Sequence, residues 1–517
     1  MLYPIGIQTF KEIRTKGFVY IDKTALLYKI VSEGKYYFLS RPRRFGKSLL
    51  LSTIRSYFEG EKDLFEGLAI SNLEKDWNNY PVLRLDWAAE DYHNNFIVVK
   101  DSIKDTLSEW EKTYGVTPAN KASAASRFKK IIKTAFEKTG RQVVILVDEY
   151  DKPILDNLDL PAVADKIRRT LKSFYGVLKP MDEYIRIGFI TGVTKLGKMS
   201  IFSDLNNLED ISMDRTYSTL CGITQKEIDR YFPPEVKALA EANGLTEDDC
   251  RKKLTTMYDG YKFHPQAEGV FNPYSLLQAL KKKDFGSYWF ETGTPTFLVR
   301  YLLDNNIKLG NLTGTPTASS LLTGTNYEKI HPVTLLFQSG YLTIDEFDSR
   351  SIKYTLKYPN REVENGFFDS LSDLYTPMIS DSETFSVEQF SKDLCSGNAG
   401  MFMTRLQAFY ADLPYEVQPS VEASFQNTML ILCKLMGQNV EVERHTSNGR
   451  IDVLIQTDRY VYIIELKRDK DPDYALDQID GKGYDFPFKA DGRKVFKIGA
   501  DFSTKDRRLD SWTIKEA

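Results

Sequence analysis

The sequence holds only four cysteines, Cys221, Cys250, Cys395 and Cys433, and no two of them form a CxxC pair. That spacing excludes a disulfide framework and a cysteine-based zinc site, leaving free core thiols in a reducing compartment as the expectation. No surplus of one charge is present either. Against 69 Lys and Arg stand 72 Asp and Glu, for a net charge of −3. A global basic field that would hold nucleic acid indiscriminately is thereby excluded, and a nucleic-acid site would have to be local. No apolar run approaches the ~18–20 residues a membrane helix needs. The opening Met1-Leu-Tyr-Pro-Ile-Gly-Ile-Gln lacks a basic stretch before a long apolar run, so no signal peptide is expected and the cytoplasm is the default. With 31 Gly and 20 Pro, collagen-like and low-complexity readings fail, and no repeat or Gly/Ser/Pro-rich linker is visible.

What is present is apolar material for several cores: 42% hydrophobic and 13% aromatic residues in a chain of 517. At roughly 150 residues per domain this length suggests about three domains. Residues 36–40, 81–87, 143–147 and 185–190 read as strands, the third as an unbroken apolar run of the kind found in a central parallel strand. Helical spacing marks 48–59, 121–138 and 162–179. Strands alternating with helices predict an α/β domain with a parallel sheet. From about 222 helices dominate (225–231, 234–242, 247–258 and 273–283), predicting a small helical domain. An amphipathic helix over 420–437 precedes strands near 440–444, 450–456 and 460–467, a second α/β unit.

Ser40-Arg-Pro-Arg-Arg-Phe-Gly-Lys-Ser48 lies between a strand and a helix. Its end, Gly46-Lys47-Ser48, matches the close of a phosphate loop, where backbone N–H groups at a helix N-terminus face phosphates. Lys47 would reach the β- and γ-phosphates and Ser48 would bind Mg²⁺. Arg41 occupies the first glycine position of the strict pattern. Downstream, Val143-Val-Ile-Leu-Val-Asp148-Glu149 places two carboxylates at the carboxyl end of a buried strand, where open α/β sheets bind ligands. Asp148 would help hold Mg²⁺ and Glu149 would polarise water; a strand that simply ends in polar residues is the plain alternative. Thr191, ending the strand at 185–190, could sense the γ-phosphate or mark a turn. Arg168 and Arg169 are candidate charge-stabilising fingers, more naturally read as a solvated helix face.

Near the C-terminus, Gly449-Arg-Ile-Asp452-Val-Leu-Ile455 and Tyr460-Val-Tyr-Ile-Ile-Glu465-Leu-Lys467 read as a β-hairpin. A two-residue loop, Asp458-Arg459, sets Asp452 opposite Glu465; a three-residue loop makes them diagonal neighbours. Lys467 shares the face of Glu465. Opposed carboxylates call for a cation, and Mg²⁺ is the economical one, with Lys467 orienting or deprotonating water. A salt-bridged exposed hairpin face is the competing reading. Glu422 lies in the first turn of the helix over 420–437, where an acid also complements the helix dipole. Gln478, in the helix opened by Ala475-Leu-Asp-Gln478, could contact substrate, brace the lysine or face solvent.

Arg41-Pro-Arg-Arg-Phe-Gly-Lys-Ser48, Tyr20-Ile-Asp-Lys-Thr24 and Val147-Asp-Glu-Tyr-Asp-Lys-Pro153 together resemble the bacterial AAA-ATPase-like family. Its members often carry a C-terminal PD-(D/E)XK nuclease-like domain, to whose signature Gly449-Arg-Ile-Asp452, Ile464-Glu-Leu-Lys467 and Ala475-Leu-Asp-Gln478 are similar. The family itself has Arg where a strict loop has Gly, and Ile451-Asp452 stands for the Pro-Asp half of the nuclease motif. The resemblance implies a P-loop NTPase parallel-sheet domain at 1–220, a helical, winged-helix-like lid domain at 221–345, a linking region at 346–410 and a PD-(D/E)XK nuclease-like α/β domain at 411–517. It implies ATP and Mg²⁺ as cofactors, bound by Arg44, Phe45, Gly46, Lys47, Ser48, Asp148 and Thr191, with Glu149 catalytic. Glu422, Asp452, Glu465, Lys467 and Gln478 would form the nuclease-like site, with Asp452 and Glu465 as metal ligands. DNA or RNA is the implied macromolecular partner, no membrane is involved, and an oligomer is left open. The alternative is an ATP-driven switch or binding protein whose nuclease-like fold does not cleave.

Overall fold

Alternating strands and helices produce, in the computed structural model, two packing units. The structure describes residues 1–119, 121–290, 298, 301–302, 307–324, 330–375, 387–412, 422–503, 505–506 and 508–517. One unit comprises Met1–Trp289 with Pro316–Glu362, the other Phe290–Thr315 with Val363–Ala517.

In the first unit, β1 (Tyr36–Ser40), β2 (Val82–Asp86), β3 (Val143–Asp148), β4 (Ile185–Gly192) and β5 (Glu209–Asp210) form a sheet in the order β2-β3-β4-β1-β5. Every neighbouring pair is parallel. All residues of β1 and β3 are buried, which is why they read as unbroken apolar runs. One face of the sheet packs Phe38, Ile145 and Val147 against Leu107, Ile132 and Leu171 of the helices Phe96–Tyr114, Ala124–Thr139 and Pro161–Tyr175. Because β4 separates β1 from β3, the loop after β1 and the acids ending β3 leave the same carboxyl edge with the end of β4 between them.

The helices Gln225–Tyr231, Pro233–Ala242, Glu247–Tyr258 and Pro273–Lys282 share a core around Ile228, Val236, Leu254 and Leu276. Two isolated bridges, Ile223 with Phe271 and Tyr261 with Val270, tie this region together. A small antiparallel sheet of β6 (Thr317–Ala318), β7 (Thr343–Asp348) and β8 (Lys353–Lys357) completes the unit. The stretch 346–410, which sequence left without structure, holds β8 and the helices Arg361–Tyr375, Val387–Cys395 and Ala399–Asp412. Cys221, Cys250 and Cys433 are buried, but Cys395 is exposed, a correction to the expectation of four core thiols: it is the last residue of its helix, whose buried positions are Phe390 and Leu394.

In the second unit, β9 (Asn439–Thr446), β10 (Gly449–Gln456), β11 (Tyr460–Arg468), β12 (Lys494–Ser503) and β13 (Arg508–Glu516) form a mixed sheet in the order β13-β12-β11-β10-β9. Only β11 and β12 run parallel, joined through the helix Pro472–Lys482. That helix packs Leu476 and Ile479 on Leu454, Ile463 and Val495.

Candidate functional sites

In the loop after β1, Gly46 has φ +88° and precedes the helix Lys47–Phe58 directly. That left-handed conformation is open to glycine at little cost, and it turns the N-terminal amides of the helix outward. Arg44 also has φ +66°, so two left-handed residues bracket Phe45, an arrangement that favours an anion-accepting concavity. The Phe45 side chain points inward, with Tyr261 and Phe263 edge-on to it. Arg44 is exposed, its guanidinium 5.0 Å from the centre of the Tyr274 ring.

Lys47 is buried, and its Nζ donates to the carbonyls of Arg41 (2.9 Å) and Pro42 (3.0 Å). Burial lowers its pKa, while Glu149, Asp148 and Asp151 act against that shift. Ser48 is half-buried beside it. Arg41 points away from the phosphate position. Its guanidinium is buried, donates to the carbonyls of Ser40, Ser212 and Tyr217, and lies 3.8 Å from the centre of the Phe263 ring. The large side chain therefore occupies the back of the loop and leaves its mouth clear.

Asp148 is 1% exposed. Its Oδ1 accepts from Thr191 Oγ1 at 2.7 Å, while Oδ2 has no hydrogen-bond partner among the described residues; Arg84 Nη2 stands 3.5 Å away. A buried carboxylate oxygen left without a donor is costly, and a cation is the partner it fits. Thr191, at the end of β4, is fully buried, and its hydroxyl donates to Asp148. Glu149 has φ +51°, strain that a non-glycine residue adopts only when its surroundings fix it. Burial raises its carboxyl pKa, against the lowering influence of Lys47 and Arg43. Sequence reasoning missed Asp151, which is buried and accepts from Thr194 N, Thr194 Oγ1 and Val193 N, fixing the end of β4. Its only signal was its place in Asp148-Glu-Tyr-Asp151. Arg168 and Arg169 both pair with Asp165, at 2.6 Å each, on the helix Pro161–Tyr175. Beside Gly46, a cavity of about 110 Å³ is lined by Tyr20, Phe45, Leu49, Cys221, Ile223 and Leu277, an apolar space next to the anion-accepting turn.

In the second unit, Thr457 N donates to Tyr460 O at 2.9 Å, so the hairpin loop is Asp458-Arg459. Ladder pairing runs from Gln456↔Val461 to Val453↔Ile464, which sets Asp452 opposite Glu465. There the side chains replace the ladder. Asp452 N donates to Glu465 Oε1 (3.3 Å) and Leu466 N donates to Asp452 Oδ2 (2.8 Å). Glu465 is fully buried and Asp452 nearly so. Gln478 Nε2 donates to Glu465 Oε2 at 2.7 Å, and Lys467 Nζ lies 3.6 Å from the same oxygen. Burial, with Asp452 adding to it, pushes the Glu465 carboxyl up to about 8. Helix Pro472–Lys482 can approach this closely because Gly499, the register partner of Glu465, has no side chain; a Cβ there would meet Pro472 O at 2.1 Å. Glu422 opens the helix Glu422–Leu435, but its side chain lies outside the described residues. Among those residues no group of three or more His, Cys, Asp and Glu gathers to hold a metal; the carboxylates brought together here are Asp452 and Glu465.

A family described as "Predicted AAA-ATPase" matches residues 4–202, and one described as "PD-(D/E)XK nuclease superfamily" matches residues 420–512. The chain is also 36% identical over 529 residues to "Uncharacterized protein in vnfD 5'region" of Azotobacter chroococcum mcd 1, covering 99% of this chain and 98% of that protein. The chain belongs to the AAA-ATPase-like family with a C-terminal PD-(D/E)XK nuclease-like domain. No helix among the described residues is long and apolar enough to cross a membrane.

Proposed function

We propose that this chain binds and hydrolyses ATP in its AAA-ATPase-like domain and hydrolyses phosphodiester bonds of DNA or RNA in its nuclease-like domain, using Mg²⁺ at both. The buried Asp452–Glu465 pair carries the reading: two carboxylates in one place, holding a proton near neutrality, make a site that a divalent cation completes. Mg²⁺, when bound, supplies positive charge that polarises a phosphate and acidifies water. The residues of the chain do the rest. Gln478 fixes one Glu465 oxygen, and Lys467 reaches the same edge, where it orients water or takes its proton. In the other domain, Lys47 leaves its two carbonyls for the β- and γ-phosphates, the apolar cavity beside Gly46 takes the base, Asp148 offers Oδ2, which has no hydrogen bond among the described residues, to the cation, and Glu149 accepts a proton from water.

The test is cleavage of labelled DNA and RNA by the full chain with Mg²⁺ or Mn²⁺, with and without ATP. Activity should vanish in Asp452→Ala and Glu465→Ala; activity unchanged in both variants sinks the nuclease reading. A second reading, an ATP-driven switch with a non-cleaving nuclease-like domain, draws on charge. From residue 420 onward 16 Lys and Arg face 17 Asp and Glu, without the basic excess common in nucleic-acid binders. ATP turnover with no cleavage of any nucleic acid would favour it.

A further inference from the structure

Glu443, in β9, combines two features that rarely coincide in a strand. Its φ is +58°, and its side chain is 1% exposed. Ile451 pairs with Arg444 and Val453 with Val442, so Glu443 stands opposite Asp452, where the ladder pairing lapses. Backbone strain at a non-glycine residue persists only where the surroundings impose it, and such residues concentrate at functional sites. The carboxylate is held by several side chains, Gln426 among them. Lys308 Nζ lies 2.8 Å from Oε1, and Arg450 Nε pairs with Oε2. Arg450 is two residues from Asp452, roughly 7 Å along an extended strand.

The manner in which Arg450 is held matters most. Its backbone N–H donates to the Tyr484 hydroxyl, which donates in turn to its carbonyl, both at 3.0 Å. Glu443 engages Nε, and no other partner for the guanidinium is recorded among the described residues. The side chain is 45% exposed. The half-exposed guanidinium, its backbone pinned by Tyr484 and its Nε held by Glu443, keeps its Nη groups available for a phosphate, which a guanidinium recognises bidentately. A guanidinium needed only to neutralise Glu443 would have no reason to keep that edge open, since Lys308 already neutralises it.

We propose that Arg450 is a phosphodiester-binding residue of the nuclease-like site, and that Glu443 is its positioning residue. This rests on the nuclease reading above: Arg450 grips a backbone phosphate of the nucleic acid beside the bond presented to Asp452 and Glu465. A contact of this kind adds affinity without sequence preference and contributes about one unit to the salt dependence of binding.

Binding is measured by fluorescence anisotropy on the full chain carrying Lys467→Ala to prevent turnover, with Mg²⁺ and labelled single-stranded DNA, duplex DNA and RNA of about 20 nucleotides over a range of KCl. Adding Arg450→Ala should weaken binding roughly ten- to a hundredfold and lower the slope of log Kd against log salt by about one, in a chain whose circular dichroism and unfolding cooperativity show it folded. Arg450→Lys should recover the slope but not the full affinity. Glu443→Gln should weaken binding several-fold and keep the slope. Should Glu443→Gln fail to fold, Arg450→Ala, at a half-exposed side chain, decides alone. Parent and Arg450→Ala binding with equal affinity and slope overturns the proposal and leaves the nuclease reading standing. No binding of any probe by the parent removes the nuclease reading and this proposal with it.

Discussion

Without a cation, the Asp452–Glu465 pair should hold a proton at neutral pH and release it when a divalent ion binds. Burial, with Asp452 adding to it, pushes the Glu465 carboxyl up to about 8, so the protonated form is favoured at pH 7. Binding Mg²⁺ or Mn²⁺ at pH 7 should then release up to about one proton per chain, and affinity should rise with pH between 6 and 8. The same shift has a consequence for stability. The folded chain keeps this proton up to about pH 8, whereas unfolded glutamate loses it near pH 4.5. Folded protein binds more protons than unfolded across that window, so the metal-free domain should lose stability as pH rises from about 4.5 through 8.

Calorimetric titration of Mn²⁺ in two buffers of different ionisation enthalpy reads the proton count, and Asp452→Asn supplies the baseline from any other site. Glu465→Gln should abolish both the proton release and the metal affinity while raising the melting temperature of the metal-free chain at pH 8–9. Metal affinity independent of pH between 6 and 8, with no buffer-dependent heat, would refute the argument. So would a metal-free chain that gains stability over the same range.

Four substitutions probe the remaining geometry. Lys47→Ala should weaken ATP binding about ten- to a hundredfold, because it removes the charge that meets the phosphates, whereas Glu149→Gln should spare binding and slow hydrolysis by about 10²–10⁴-fold; equal effects of the two on affinity would contradict these roles. Arg41→Gly, although it restores the strict loop pattern, should destabilise the domain by about 2–4 kcal/mol in urea, since three carbonyls lose a buried charged donor; an unchanged midpoint would refute the anchoring role. Gly499→Ala should cost about 1–3 kcal/mol and weaken metal binding, because the helix must withdraw Gln478 from Glu465; full metal affinity in that variant would show that Gln478 is dispensable.

What could be read from sequence was local. Gly46-Lys47-Ser48 and Val143–Glu149 were legible because a turn, a helix start and a buried strand each carry their own pattern, and the structure sets their ends on one edge. The opposition of Asp452 and Glu465 was legible because a two-residue loop fixes hairpin register, and one added residue would have undone it. Illegible features depended on neighbours distant in the chain. Nothing near Arg41 tells that it turns inward to Ser212, Tyr217 and Phe263. Nothing near Thr191 tells that its hydroxyl donates to Asp148. The division of the chain was equally hidden, because residues 316–362 return to the first unit after 290–315 have joined the second.

The two sites share one electrostatic device, which explains why the acids were visible and their supports were not. In each, the fold buries a carboxylate and stops short of satisfying it: Asp148 Oδ2 has no hydrogen bond among the described residues and only Arg84 at 3.5 Å, and burial pushes the Glu465 carboxyl up. Both conditions cost stability in a low-dielectric interior, so they persist only where neighbours hold them rigidly. Thr191 and Asp151 do this around Asp148; Gln478, Gly499 and the opened ladder do it around Glu465. The acids sit at the ends of apolar strands and announce themselves by contrast, whereas their supports are ordinary residues whose roles exist only once the strands are aligned. With a cation at each site, as proposed, metal and nucleotide together should raise the melting temperature beyond either alone, by an amount that the double variant Asp148→Asn, Asp452→Asn should erase.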